Sequence, residues 1–318
     1  MSQQRSSLKK AAIERSGLSF LPWSVGEKYG MEECLVSLFE RQVHRCPKNP
    51  AVFFGADWLS YKELDDHSNQ VANYLLEHGT GQGQLVPVWM DRSIEWLVAV
   101  LGILKAGAAY VPVDPACPFK TAAFIIKDTQ ARLVISNRNC GSGLAAGKEK
   151  KLLFLDDLSV LREYPTESAT ISPDENSLAY VMYTSGPAGI PKGHSVVHEF
   201  ILHQLTRHNH KFDLDENCRL SLVADLDVEV SVWEIWSALA CGGSLHIAKE
   251  EERRDAISLL NFFSLHQITH GYVPSVLLPS IIAHSKVQEG LNFKYLFTGD
   301  EQLKPVLSCF RYLDISMS

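Results

Sequence analysis

Apolar and polar residues alternate along this chain in two different periods. From Leu35 the apolar positions Leu35, Leu38, Phe39 and Val43 fall on one helical face, and Pro47 and Pro50 end the element. Residues 51–54 read as a strand, and residues 55–57 as a hairpin turn into Trp58 and Leu59. Ser60 and Glu63 form a capping box, in which hydroxyl and carboxylate satisfy first-turn amides. The helix behind it carries Leu64, Val71, Tyr74 and Leu75, and Gly79 is its natural stop. Residues 85–90 are strand-like, and Ser93 caps a helix through Trp96, Val100, Leu101 and Leu104 that Gly107 ends. Residues 108–113, 133–135 and 152–155 read as strands, with a short helix at 122–128 and a surface loop at 137–151. Residues 163–177 are polar, contain two prolines and read as a linker.

The second half repeats the alternation. Residues 178–183, 220–223, 244–248, 269–273 and 295–298 are apolar strands. Helices are expected near 230–240 and 255–266 and after Pro274. Alternating strands and helices predict parallel sheets covered by helices. The organisation expected is a leader at 1–30, a first α/β subdomain at 31–175 and a second at 176–318.

Composition narrows the class. Three hundred and eighteen residues suggest about two domains at roughly 150 residues each. Apolar residues are 46% and charged residues 21%, which excludes disordered, collagenous and coiled-coil chains. Thirty basic against thirty-seven acidic residues give a net charge of −7, without the basic excess of a nucleic-acid binder. The seven cysteines are scattered and form no C-x-x-C pair, which argues against a disulfide framework or a zinc ribbon. No apolar signal segment precedes Leu18, and the longest apolar run, 96–104, is about half a membrane span. A reduced, cytoplasmic chain with no membrane partner is the expectation.

One segment points to chemistry. Residues 178–193 place a loop of Thr184, Ser185, Gly186, Gly189 and Lys192 after a buried strand. Hydroxyls, free amides and one lysine at a strand end suit a polyphosphate. It is not a Walker A loop, because Pro191 stands where that pattern needs its second glycine. A plain surface turn is the competing reading of the segment alone.

Four further segments join it in order: residues 59–64 with Asn69 and Ala72, residues 104–115, residues 231–239 followed by Gly242 and Gly243, and residues 297–303. Together they resemble the adenylate-forming superfamily, and most closely the amino-acid adenylation domains of nonribosomal peptide synthetases. The resemblance implies a layered α/β/α/β/α fold. It also implies ATP with magnesium, a small carboxylate or amino-acid substrate, and transfer of the acyl group to a carrier-protein thiol. By position, Thr184, Ser185, Gly186, Gly189 and Lys192 would hold phosphate. Glu229, Val230, Trp233, Gly271, Phe297 and Gly299 would line the substrate pocket, with Glu229 facing the substrate ammonium. Ordinary core packing is the alternative for Val230, Trp233 and Phe297, and a solvent-facing position for Glu229. Trp233 and Phe297 suggest an apolar or aromatic substrate side chain.

The chain departs from the family in three places. Pro187 and Ala188 stand where the family carries hydroxyl residues, so a donor and a hydroxyl are missing. Glu229 replaces an aspartate. After Leu303 no Y-G-P-T-E segment, barrel subdomain or small C-terminal domain is recognisable, so an N-terminal, weakly active portion that pairs with a missing C-terminal half is expected. An acyl-CoA or acyl-carrier ligase for a non-amino acid, and a non-catalytic binding module, are the alternatives. No metal site is expected, since His194, His198, His203, His208 and His210 fit no zinc spacing and read as solvated helix faces, apart from His198, which would begin a helix.

Overall fold

The computed structural model describes residues 19–20, 34–143, 151–168, 175–186, 190–285, 289–299 and 311–313. In chain order the elements begin with β1 (Ser19–Phe20), α1 (Leu35–Arg45), β2 (Pro50–Phe54), β3 (Asp57–Ser60) and α2 (Tyr61–Glu77). They continue with β4 (Leu85–Trp89), α3 (Ile94–Lys105), β5 (Ala109–Pro112), α4 (Phe119–Asp128), β6 (Leu133–Ser136), α5 (Arg138–Gly141) and β7 (Lys151–Phe154). A 3₁₀ turn at Leu158–Leu161 precedes β8 (Leu178–Ser185), β9 (Pro191–Val197) and α6 (His198–Lys211). The last elements are β10 (Arg219–Leu222), α7 (Glu229–Cys241), β11 (Ser244–Ile247), α8 (Glu250–Arg253), α9 (Ala256–Leu265), β12 (His270–Pro274), α10 (Leu278–Ser285), β13 (Tyr295–Gly299) and β14 (Arg311–Leu313).

The chain packs into two compact units that interleave in sequence. The first holds the described residues up to Val36, His67–Asp91 and Glu95–Ile201. The second holds Ser37–Asp66, Arg92–Ile94 and the described residues from Leu202. The sequence-based division near residue 175 therefore differs from the division by packing. Residues 163–177 read as a linker because they are polar. Their first part instead lies along α2, inside the first unit. Asn69 and Gln70 donate to the carbonyls of Thr166 and Tyr164 at 2.7 and 3.1 Å, and Asn73 donates to those of Pro165 and Glu167 at 3.0 and 3.1 Å. Amide side chains on one helix face satisfy this backbone, so polarity here marks a docked strap rather than a hinge.

In the first unit the strand order is β1-β9-β8-β5-β4-β6-β7. All neighbours are parallel except β8 with β9. The parallel strands β4, β5 and β6 are buried almost throughout, as expected of strands covered on both faces. Trp89, Val111, Val134 and Val181 pack against Ala122, Ile125 and Ile126 of α4. From Trp96 to Leu104 helix α3 is apolar on every side and buried, including Trp96, Leu97, Leu101 and Leu104. Lys105, which interrupts that run in sequence, is also buried and donates to Asn69 Oδ1 at 2.7 Å.

In the second unit the order is β14-β13-β12-β10-β11-β2-β3, antiparallel only at the two edges. Its core joins Phe212, Leu259, Phe263, Tyr272 and Phe297. The Ser60–Glu63 box forms as read, with the Ser60 amide and hydroxyl both donating to Glu63 Oε2 at 2.8 and 2.7 Å. Strand β9 was not visible in the pattern, and the expected surface loop at 137–151 contains α5, capped by Asn137, whose side chain accepts from Cys140 N.

Candidate functional site

The phosphate-loop residues lie in the first unit, where β8 turns back as β9. Apolar β8 drives the strand inward, and Tyr183 at its buried end donates to Asp128 Oδ2 at 2.6 Å. That bond and burial push the Tyr183 phenol well above its usual range. Beyond it the chain surfaces: Thr184 is half-buried and Ser185 exposed. Antiparallel register sets Thr184 opposite Lys192 and Ser185 opposite Pro191. Directly opposed residues in a strand pair share a face, so a hydroxyl and an ammonium-bearing side chain stand together at the strand end. Lys192 is exposed. Burial, then the Lys192 charge, lowers the pKa of His194.

Gly186 closes the strand pair, its amide donating to the Ile190 carbonyl at 3.0 Å. A Cβ at Gly186 would meet that oxygen at 2.3 Å, so only glycine fits. Thr184, Ser185 and Lys192 thus form a polar, partly exposed end to a largely buried strand pair. Gly189, Pro187 and Ala188 lie outside the described residues.

The substrate-lining residues lie in the second unit. Trp233, Gly271 and Phe297 come together around a cavity of about 20 Å³, with His208, Ser237 and His270. Helix spacing brings Trp233 and Ser237 to one face of α7. Parallel pairing of β12 with β13 sets Gly271 beside Leu296 and Tyr272 beside Phe297. Val230 does not reach this cavity and packs in the apolar core. Gly299 does not reach it either, and its carbonyl accepts from the Tyr272 hydroxyl at 3.4 Å. The Trp233 and Phe297 rings both face this cavity.

Glu229 opens α7 and is half-buried. Its carboxylate has no hydrogen bond or ion pair among the described residues, and burial raises its pKa. Asp225, Asp227 and Glu229 do not share an extended face. Strand β10 ends at Leu222, the chain turns, and Asp225 pairs with Arg253. The histidines are not all solvated: His198 begins α6 fully buried, its Nδ1 accepting from the Leu35 amide at 3.3 Å. His208 is buried too. Burial, aided by His270 and Lys211, lowers its pKa to about 4. Among the described residues no group of three His, Cys, Asp or Glu side chains gathers to hold a metal.

Sequence reasoning missed the residues that hold the turn leading to Glu229. Glu234 is buried. It accepts from the amides of Val223 (2.9 and 3.1 Å) and Ala224 (2.9 Å) and from the Ser221 hydroxyl (3.3 Å). Burial raises its pKa to about 8, against those donors and the Arg92 charge. Arg92 donates to the carbonyls of Leu222, Ala224 and Ala248 at 3.0, 2.8 and 3.3 Å, and Arg253 to that of Val223 at 2.9 Å. Amides and carbonyls of residues 222–224 are thus fixed from both sides. Glu234 stood in a recognised motif, but its role was not legible. Nothing local marked Arg92.

Two parallel-rich sheets and a hydroxyl–glycine–lysine turn at a strand end define the N-terminal fold of adenylate-forming enzymes. The chain belongs to the AMP-binding enzyme family, whose model matches residues 39–312. It is 30% identical over 275 residues to bacitracin synthase 1 of Bacillus licheniformis, covering 86% of this chain and 5% of that protein. It is 32% identical over 279 residues to surfactin synthase subunit 2 of Bacillus subtilis, covering 86% and 8%. The chain therefore spans less than a tenth of the length of these synthetases. Among solved structures, the nonribosomal peptide synthetase FmoA3 in its AMPPNP-bound form has a TM-score of 0.78 at 22% identity, covering 97% of this chain and 35% of that one. The N-terminal domain of FACL13 from Mycobacterium tuberculosis has a TM-score of 0.75 at 18% identity, covering 84% and 70%. No helix among the described residues is long and apolar enough to cross a membrane.

Proposed function

We propose that this chain is the ATP- and amino-acid-binding body of an amino-acid adenylation enzyme. The reaction joins a substrate carboxylate to the α-phosphorus of ATP, releases pyrophosphate and leaves an aminoacyl adenylate for a carrier-protein thiol. The observation that carries the amino-acid reading is Glu229, a half-buried carboxylate at the start of α7 without a hydrogen-bond or ion-pair partner among the described residues. A desolvated anion of this kind is stabilised by a cation, and the substrate's α-ammonium supplies one.

Thr184, Ser185 and Lys192 would hold the phosphates, beside the side-chain-free Gly186. Magnesium would travel on the phosphates and its own waters. The chemistry asks for neutralised charge on the leaving pyrophosphate more than for an acid–base pair. Pro187 and Ala188 weaken that grip by about 1.5–3 kcal/mol for each lost bond to a charged oxygen. Turnover by this chain is therefore slow.

Amino-acid-dependent exchange of labelled pyrophosphate into ATP tests this reading. Slow exchange with one or a few amino acids, raised by Pro187→Ser with Ala188→Thr, is expected. The two departures equally favour a second reading, a non-catalytic binding module. Absence of exchange with all amino acids, and of any hydroxamate trapped with hydroxylamine, would establish that module instead.

A further inference from the structure

Strand β9 runs back along β8 with Met182 opposite His194 and Thr184 opposite Lys192. Opposed residues of a strand pair share a face, and so do residues two apart on one strand. Met182, Thr184, Lys192 and His194 therefore stand on one side of the pair. Val181 and Tyr183 stand on the other, where they pack with Ala122, Ile125 and Ile126 of α4. Exposure along β9 rises toward the phosphate turn: Val196 is buried, His194 half-buried and Lys192 exposed. His194 thus lies at the rim of the turn, about 6.6 Å along the strand from Lys192.

This turn is short of anion donors. Pro187 has no amide hydrogen and Ala188 no hydroxyl. The Gly186 amide already donates to the Ile190 carbonyl. Lys192 is one point charge, and a triphosphate carries several. The face that holds Lys192 also holds the His194 imidazole. Burial first, and then the Lys192 charge, keep that ring deprotonated near pH 7. The neighbouring strands add no charge: β8 sets Met182 and Thr184 against this face, and β1 sets Ser19 beside His194 in register. Asp128 is bonded to Tyr183 on the opposite face. An anion lying across Lys192 and His194 therefore changes the electrostatics of the ring: it offsets the lysine charge and favours the imidazolium.

We propose that His194 is a second phosphate-binding side chain, acting with Lys192 on one face of the β8–β9 pair, and that it makes ATP bind more tightly as pH falls. The proposal rests on the adenylation reading above and adds to its phosphate site a residue and a pH dependence. Binding draws one proton from solvent onto the ring. The ring of the free protein titrates below its ordinary 6.5, and the phosphate-bound ring titrates higher. Affinity then rises as pH falls through the bound-state range and levels off below the free-state one.

The test is calorimetric titration of the 318-residue chain with ATP and magnesium at pH 8 and pH 6, with unfolding temperature checking that each protein is folded at both. The Kd is expected to fall about tenfold from pH 8 to pH 6. His194→Gln, whose amide takes up no proton, should remove that difference. AMP, which lacks the β- and γ-phosphates, should bind both proteins alike. Lys192→Ala should weaken ATP at both pH values. No tightening in the unmodified chain, or the same tightening in His194→Gln, would overturn the proposal and leave the adenylation reading standing. An equal loss of AMP and ATP in His194→Gln would overturn it too, since that marks a damaged site and not a lost phosphate contact. Failure of the unmodified chain to bind ATP at either pH would overturn the adenylation reading itself, and this proposal with it.

Discussion

Glu229 and Glu234 are five residues apart and have opposite fates. Glu234 turns inward, where amides, a hydroxyl and the Arg92 charge surround its carboxylate. Glu229 is half-buried and has no hydrogen bond or ion pair among the described residues. The difference was not legible in the motif, because residue type states charge and not what surrounds it. It leads to a prediction about Glu229. Glu229→Gln should weaken an aminoacyl-sulfamoyl adenosine by about ten- to a hundredfold, the worth of a charge-assisted bond. The same analogue without its α-amino group should bind both proteins equally. Calorimetry with the two analogues checks this, and an equal loss for both would favour the non-amino-acid ligase. Trp233, Gly271 and Phe297 gather at one cavity, whereas Val230 packs in the core and the Gly299 carbonyl accepts from Tyr272.

Among elements, close backbone approach decides two glycines. Gly102 of α3 sits against α2 within the first unit, and a Cβ there would lie 2.4 Å from Val71 Cβ and 2.9 Å from the Ser68 carbonyl. Gly102→Ala should lower stability by at least the value typical of overpacking, about 1–3 kcal/mol, read by urea unfolding. Gly186→Ala drives its methyl onto the Ile190 carbonyl at a surface turn. It should abolish nucleotide binding, measured by fluorescence of a labelled ATP analogue, and cost the fold less than Gly102→Ala does. The reverse ranking would mean that the turn supports the sheet and not the ligand. Helix α3 and strands β4 to β6 were legible because their apolar runs are unbroken. Strand β9 was not, because Pro191, Lys192, Gly193 and His194 carry no alternating pattern and pairing with β8 alone makes them a strand.

For the whole molecule, buried neutral histidines tie stability to pH. Burial lowers His208 to about 4 and His246 to about 2, against an ordinary 6.5, and it also lowers His266 and His270. These histidines make the unfolded chain bind more protons below pH 6.5, so their contribution is full above that pH and falls as pH drops, while Glu234, raised to about 8, works in the opposite sense and flattens the net trend. Each of His208 and His246 contributes a slope approaching about 1.4 kcal/mol per pH unit between pH 6 and 4. Urea unfolding at pH 7, 6 and 5 should show midpoints falling progressively, and His208→Phe should flatten the trend. An unchanged midpoint from pH 7 to 5 would contradict it.

The amino-acid sequence alone determined the α/β class, the order of most strands and helices, and the family. Those features are local: apolar period, caps and short ordered motifs act over a few residues. Tertiary structure alone decided which carboxylate is clamped and which is open, how large the cavity is, and where the chain divides into units. Those properties depend on groups distant in sequence, as when Arg92 and Arg253 converge on residues 222–224. Spacing along the chain carries no record of such encounters, because they are set by desolvation and packing in three dimensions.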